Sequence, residues 1–325
     1  MAEVFVKTNN PAPCWMRRIR IELTSQKYNE KLIFGDNEDD NLTIKINGTK
    51  YNASNKDCGV VTINNLSYET MIKLIEGEYY KIKISAGYKN NISTIFTGGV
   101  AFISHKIHSA HDTECYIAYN SELVASFSQW RMQFSLNSSI NLYSALYAVS
   151  ASAGFGNIHL DSSLKEKFLN EAKTYYSDAA TILDAVAYQT DKFGSFTWST
   201  DNSDGNIIDV TTTTGKRYIN IDSNTIPVAG GNPTVTSEGL KISLLPVFNF
   251  KVGDIIIVEN RLINVSVNSA NVYSGNTFNT NYLDSKGQYM ILELNYNFEN
   301  RGSNFVYNIK ARSVENIIKR LLNQE

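Results

Sequence analysis

The segment 239–312 constrains the fold most, because apolar and polar residues alternate along it between turn-forming residues. The alternation runs through 239–244, breaks at a proline, continues as the apolar run 255–258 and resumes at 287–296. A long polar loop, 268–286, interrupts it. Alternation with a period of two, bounded by glycine and proline, is typical of antiparallel strands. The segment therefore predicts one small β-barrel, and no acid, base or nucleophile is placed in it for chemistry.

A second β-rich unit precedes this segment. Alternating stretches predict strands at 18–23, 42–46, 49–51, 59–65, 79–88 and 95–103. The dipeptide Asn47-Gly48 lies between two of these stretches and predicts a two-residue hairpin turn. One or two helical turns are expected at 67–76. Short strands separated by turn residues indicate an antiparallel sandwich or barrel.

Both units carry short turn-and-strand motifs in a definite order. The motifs are Ala86-Gly87-Tyr88, Ile95-Phe96-Thr97-Gly98-Gly99-Val100, 111–118, Leu244-Leu245-Pro246, Val252-Gly253-Asp254, Gly287-Gln288-Tyr289-Met290 and 304–309. Their order resembles that of the central hub proteins of phage tail baseplates, a family that includes the front part of the type VI secretion spike. The resemblance covers most of the chain.

The resemblance implies a mainly β fold with an α+β insert and two small antiparallel β-barrels. It also implies a structural homotrimer of the virion tail baseplate, made and assembled in the host cytoplasm. Three chains with two barrels each would adapt the sixfold ring of the tail tube protein to the threefold central spike used in host-cell puncture. Surrounding baseplate proteins would be further partners. DNA would pass passively, so the channel should bear neutral or acidic side chains, because cations hold phosphates.

The stretch between the two units predicts the insert. A helix is expected from Ser138 or Ser139 to about Ala153, followed by a second helix that starts near Ser177 or Asp178 and ends before Gly194. A hairpin is expected around Asp204-Gly205. The predicted domains are 1–120 for the first barrel, 121–235 for the insert, 236–313 for the second barrel and 314–325 for a C-terminal amphipathic helix.

That C-terminal helix supplies the interface candidates. Its apolar stripe at helical spacing consists of Val314, Ile317, Ile318, Leu321 and Leu322, with Lys319 and Arg320 opposite. The helix either packs on its own barrel or a neighbour's, or serves as a docking handle for a partner.

His105, His108 and His111 form the only cluster that invites a metal hypothesis. Residues three apart on a strand face opposite sides, so His105 and His108 are expected to diverge and no metal site is predicted. The acidic run 36–40 lacks the residue order of a calcium loop. Neither glycine pair of the chain precedes the Lys-Ser or Lys-Thr of a phosphate-binding loop. We therefore expect no cofactor and no enzymatic activity.

Composition narrows the function classes. A net charge of −2 over 325 residues argues against a protein whose main function is to bind nucleic acid. Cys14, Cys58 and Cys115 are widely spaced and lack any Cys-x-x-Cys, so neither a disulfide framework nor a zinc site is indicated. No signal peptide and no membrane span are expected.

Three other functions stay open. The resemblance also fits a hub of a type VI secretion-like spike. A receptor- or glycan-binding module at a tail tip is motivated by the aromatic residues Trp130, Trp198, Tyr273 and Tyr282. A cell-wall hydrolase would need paired carboxylates or a metal triad, for which the sequence shows no convincing arrangement.

Overall fold

Strands dominate the computed structural model of this chain, which confirms the predicted mainly β fold. The model describes residues 4–5, 16–25, 27–28, 30–35, 42–51, 57–89, 91–109, 112–120, 132–152, 157–160, 168–169, 172–177, 182, 186, 196–201, 207–212, 217–221, 229, 231–236, 239–265 and 283–315.

The elements follow in chain order. The first group is β1 (Val4–Phe5), β2 (Arg17–Ser25), β3 (Lys31–Phe34), β4 (Thr43–Tyr51), β5 (Cys58–Asn64), α1 (Tyr68–Glu76), β6 (Tyr79–Tyr88), β7 (Asn91–Ser109) and β8 (Asp112–Asn120). The middle group is β9 (Met132–Leu136), α2 (Leu142–Ser152), β10 (Asn157–Leu160), β11 (Lys173–Ser177), β12 (Phe196–Asp201) and β13 (Ile207–Thr212). The last group is β14 (Arg217–Ile221), β15 (Thr234–Thr236), β16 (Gly239–Leu244), β17 (Ile255–Val258), a 3-10 turn (Asn260–Leu262), β18 (Asn264–Val265), β19 (Gln288–Glu299) and β20 (Phe305–Ser313).

One mixed sheet of fifteen strands contains the first and last groups. Its main path runs β18-β15-β16-β20-β19-β4-β5-β8-β7-β6-β2-β3, and β17, β14 and β1 branch from β19. We call β2 to β8 with α1 the first unit and β14 to β20 the second unit. The described strands of these two units form a continuous sheet and no closed barrel, so the two-barrel arrangement stays a prediction.

The first unit follows the sequence pattern closely. In β2, every second side chain from Ile19 to Ser25 is buried, as the alternation predicts. The structure confirms β6 over the predicted residues. Helix α1 lies where a short helix was expected, and the Ser67 side chain accepts a hydrogen bond from Thr70 N at its start.

The predicted turn at Asn47-Gly48 is wrong. β4 runs through both residues without a break and pairs with β5 on one side and β19 on the other. Gly48 is needed for a different reason, because the rings of Tyr119 and Tyr296 pack directly against it.

The middle group agrees with the prediction in part. Helix α2 begins later than expected, because the Asn141 side chain rather than Ser138 or Ser139 accepts from an amide of its first turn, Ser144 N. The predicted hairpin is confirmed as β12 paired with β13. Residue Ser177 ends strand β11. Of the second predicted helix the structure describes only Ile182 and Val186, both helical and buried.

Two strands from the stretch predicted as insert extend the large sheet. β14 pairs with β17 of the second unit and with the N-terminal β1, and β15 pairs with β16. A single buried apolar cluster then runs through both units, including Ile21, Ile84 and Tyr119 from the first and Leu294 and Phe305 from the second. The two units therefore share one core.

Candidate functional site: the face and seam shared by the two units

The pairing of β4 with β19 joins the two units edge to edge, and we call it the seam. It is antiparallel and runs from Tyr51 opposite Glu293 to Lys45 opposite Glu299. The side chain of Asn300 closes its end, where Oδ1 accepts from Ile44 N and Nδ2 donates to Leu42 O, each at 2.9 Å. The seam thus places two units in a fixed relation within one chain.

Four residues in one row across the sheet lie at the centre of the seam. Tyr296 stands opposite Gly48, Gly48 opposite Gly59, and Gly59 opposite Tyr119. The two tyrosines lean over the two glycines, and their hydroxyls are hydrogen-bonded at 2.9 Å. Burial raises the pKa of both phenols well above the usual value.

Only glycine fits beneath these rings. A Cβ at Gly48 would lie 2.4 Å from the Tyr296 hydroxyl, and one at Gly59 would lie 2.3 Å from the Tyr119 hydroxyl. Both are far inside van der Waals contact. The glycine pair in β4 and β5 therefore makes room for the tyrosine pair that spans the two units.

Further side chains tie the units together away from the seam. Asn249 Nδ2 donates to Thr94 O at 3.1 Å, and Asn91 Nδ2 donates to Val247 O at 3.4 Å. The Arg17 guanidinium donates to Gly302 O and lies over the Phe305 ring. These contacts indicate a rigid joint rather than a hinge.

The outward side of the sheet is polar across the seam. Thr49, Asn295, Asn308 and Ser243 stand in one row on four neighbouring strands. Thr49 Oγ1 donates to Asn295 Oδ1 at 2.5 Å, and Ser243 Oγ donates to Asn308 Oδ1 at 2.6 Å. We call the outward side of β16, β20, β19, β4, β5 and β8 the polar face.

Two lysines on the polar face lie beside side chains of opposite charge. Lys310 Nζ lies 2.8 Å from Glu293 Oε2, and Lys45 Nζ lies 3.9 Å from Glu299 Oε1. His108 Nε2 lies 3.0 Å from Glu114 Oε2. The Tyr116 hydroxyl and His108 hold the pKa of the Glu114 carboxyl below its usual value. The face therefore offers paired charges and neutral polar groups.

An ion pair that the sequence did not reveal fixes β14 within the second unit. Arg217 donates through Nε and Nη2 to the buried Asp254 carboxylate at 2.8 and 2.5 Å, and its guanidinium stacks over the Phe248 ring. Asp254 also accepts from Lys251 N at 2.7 Å. Burial raises the pKa of Asp254, and the Arg217 cation opposes that rise. The Val252-Gly253-Asp254 motif marked one partner, but nothing local to Arg217 marked the other.

A second buried carboxylate, Asp284, fixes the start of the C-terminal segment. Its Oδ1 accepts from Lys286 N and Gln288 N, and its Oδ2 accepts from Ser313 Oγ and Glu315 N, all between 2.8 and 3.1 Å. Asp284 therefore ties the end of the long polar loop to the residues that follow β20.

The predicted site residues do not converge. His105 stands opposite Cys115, whereas His108 bonds Glu114 on the other face of the ribbon. Among the described residues no three His, Cys, Asp or Glu side chains cluster as metal ligands. Val314 is buried, while His111, Ile317, Ile318, Leu321 and Leu322 lie outside the described residues.

Other predicted features also fall outside the described part of the chain. These are the acidic run 36–40, most of the long loop, Trp130, Tyr273 and Tyr282. No described helix is both long enough and apolar enough to cross a membrane. The described geometry offers a joint and a polar face, with no catalytic constellation among the residues that can be placed.

Comparison with known proteins gives a match in fold and none in sequence. No protein-family model matches the chain, and no curated protein sequence matches it. A tail protein from Neisseria meningitidis MC58 superposes with a TM-score of 0.58 at 7% identity, over 94% of this chain and 98% of that one. The 43 kDa tail protein of prophage MuSo2 from Shewanella oneidensis superposes with a TM-score of 0.56 at 8% identity, over 90% and 97%.

A type VI secretion component from E. coli, itself described as similar to T4 bacteriophage tail proteins gp27 and gp5, is a further match. Its TM-score is 0.52 at 12% identity, over 83% of this chain and 73% of that one. The resemblance of the sequence to tail hubs is thus confirmed at the level of structure: this chain has the fold of phage tail proteins and of a type VI secretion component.

Proposed function

We propose that this chain is a structural hub of a phage-type tail baseplate, assembled as a homotrimer. The observation that carries the proposal is the seam, which fixes two units side by side in one chain on the fold of tail proteins. Three such chains supply six units. The ring would present a near-sixfold surface to the tail tube ring and a threefold surface to the central spike.

The likeness of the two units supports this arrangement. Each unit is built on a long hairpin, β7–β8 in the first and β19–β20 in the second. One hairpin strand pairs with β6 or β17, and the other pairs with β5 or β16. Two units of this kind in each of three chains can occupy six similar places, each closed as a small barrel in the assembled ring.

The polar face is suited to line the channel through which DNA passes. It crosses both units without a break, and the cations Lys310 and Lys45 lie beside acids. A basic wall would hold passing DNA through its phosphates, whereas a wall of paired charges and amides would not. DNA would therefore move past this face during ejection without being bound.

In this role the protein is not an enzyme and needs no cofactor or metal. It would be part of the virion tail, assembled in the host cytoplasm, with the tube ring, the spike and the surrounding baseplate proteins as partners in host-cell puncture. Val314 and the four apolar residues after it, Ile317, Ile318, Leu321 and Leu322, would pack the C-terminal helix on its own unit or a neighbour's.

Copy number and location in purified tails test the proposal. Peptides of this chain are counted against those of the tube protein with isotope-labelled standards, and gold-labelled antibodies locate the chain on the particles. We expect three copies per tail and label at the end of the tail axis. Six copies, a distribution along the tube or absence from the particle would contradict the proposal.

A hub of a type VI secretion-like spike is the alternative that an observation favours, namely the fold match to the E. coli component. The same antibodies distinguish the two, because that hub would be recovered with an intracellular secretion apparatus and not with tails. The residues that motivated a glycan-binding tail tip lie outside the described chain or have undescribed side chains, so no structural observation favours that function.

A further inference from the structure

The outer half of β7 has an open edge. β7 pairs with β6 only as far as Gly99, and from Gly99 to Ser109 it pairs with β8. No other described strand lies along its far side over these residues. An open edge presents N–H and C=O groups to any strand that can pair with them.

Apolar side chains on this outer half are also uncovered. Phe102 is 60% exposed and Ile107 is 61% exposed, although α1 lies beside β7. The register places them on opposite faces of the ribbon, with Phe102 opposite Ala118 and Ile107 opposite Thr113. Two-stranded ribbons are marginal in water without a further strand or a packing surface. Both the edge and the faces of this ribbon therefore favour an added strand.

The second unit contains a strand of the same kind, β19, but its outer half is paired with another strand. β19 pairs first with β17, has a bulge between Ile291 and Glu293, and then pairs with β4 from Glu293 to Glu299. β7 pairs first with β6, has a bulge between Val100 and Phe102, and then continues with no described strand on that side. The seven residues from Phe102 to His108 correspond to the seven of β19 that form the seam.

The same correspondence identifies the missing strand. In the first unit the order is β4-β5-β8-β7, and in the second it is β15-β16-β20-β19. β15 is therefore the counterpart of β4. It lies near the free end of the sheet, with only the two residues of β18 beyond it. β18 already pairs with Thr234 and Val235 on that side, so an added strand would meet β15 and β18 together, and we call them the β15–β18 edge.

We infer that the outer half of β7, Phe102–His108, pairs with the β15–β18 edge of a second copy of this chain, as β19 pairs with β4 within one chain. The inference rests on the proposed three-chain hub and assigns the contact between its chains. A contact between two different surfaces of identical chains is head to tail, and it closes into a ring when the rotation allows. Seams within and between chains would then alternate around the ring.

Sedimentation velocity of the full-length chain tests this contact. We expect the wild type to form a trimer and the double variant Phe102→Lys/Ile107→Lys to stay monomeric at the same concentration. Both side chains are exposed, so the fold should survive, which circular dichroism checks. Tyr176→Lys, which changes an equally exposed aromatic residue on β11, is the matched control and should leave the trimer intact.

Cross-linking identifies the two edges directly. Ser104→Cys on β7 and Asn264→Cys on β18 are combined in a chain with Cys14→Ser and Cys58→Ser. Burial raises the pKa of Cys115 to about 11, so its thiol should stay unreactive. A short bismaleimide should join the double variant into covalent dimers and trimers and leave each single variant uncoupled.

Each outcome decides one of the two claims. A wild-type trimer that persists in the Phe102→Lys/Ile107→Lys variant overturns the β7 contact and leaves the trimeric hub standing. Coupling of the Ser104→Cys single variant to itself indicates twofold pairing of β7 strands and also overturns it. A wild type that stays monomeric and uncoupled at every concentration contradicts both the contact and the hub.

Discussion

Gly48 and Gly59 are the residues that allow the two units to pack closely at the seam. Their missing side chains are the space in which the Tyr119 and Tyr296 rings meet. The Asn47-Gly48 dipeptide predicted a turn because that signal is local. The tyrosine that actually requires Gly48 lies on β19, far along the chain. No local pattern could reveal such a packing requirement.

Gly48→Ala should destabilise the fold by about 1–3 kcal/mol, because the added methyl group overpacks a buried contact. Urea unfolding measures the loss. The neighbouring Asn47→Ala changes an exposed side chain on the same strand and should stay within about 0.5 kcal/mol of wild type. Equal stabilities of the two variants would mean that the rings do not rest on Gly48.

Arg217→Met should cost about 2–4 kcal/mol at neutral pH, because it leaves the buried Asp254 carboxylate without its cation. The loss should shrink as the pH falls, since protonation removes the unpaired buried charge. Thermal unfolding across pH measures both effects. The exposed pair Arg261–Glu259 gives the matched control, and Arg261→Met should change stability by about 0.5 kcal/mol or less. A pH-independent loss would argue against the ion pair as its cause.

Elements were predictable where a local pattern decides them. β2 and β6 lie where alternation placed them, because burial of one face alone fixes their period, and α1 lies within the short stretch where helical turns were expected. Partners in the sheet were not predictable. β4 pairs with β19, and β14 pairs with β1 and β17, although the paired strands lie far apart in the sequence. The candidate site consists of such long-range pairings, so no local sequence pattern located it.

Asn300 shows how one side chain ends the seam. Asn300→Ala removes the hydrogen bonds to Ile44 N in β4 and to Leu42 O just before it, and should cost about 1–3 kcal/mol, because Ile44 N loses its partner. Amide hydrogen exchange at Ile44 should speed up, while amides in β6 should change little. Asn304→Ala, an exposed change near the same turn, is the control. Unchanged exchange at Ile44 in the Asn300 variant would contradict this role.

In the described part of the molecule, two similar units share one core and one seam, and the middle group forms smaller sheets of its own. The order of motifs in the sequence pointed to the tail hub family, and the shared fold with tail proteins agrees with it. The continuous sheet was not expected, since the sequence pattern describes each unit separately and says nothing of how their edges meet. In the proposed ring, that pairing would let one chain occupy two places.

Electron cryo-microscopy of the purified protein tests the ring most directly. The account predicts three chains around a central opening, six similar lobes when viewed down the axis, and the polar face with Asn295 and Asn308 turned toward the opening. Monomers, twofold dimers, or a ring in which that face points outward would contradict it.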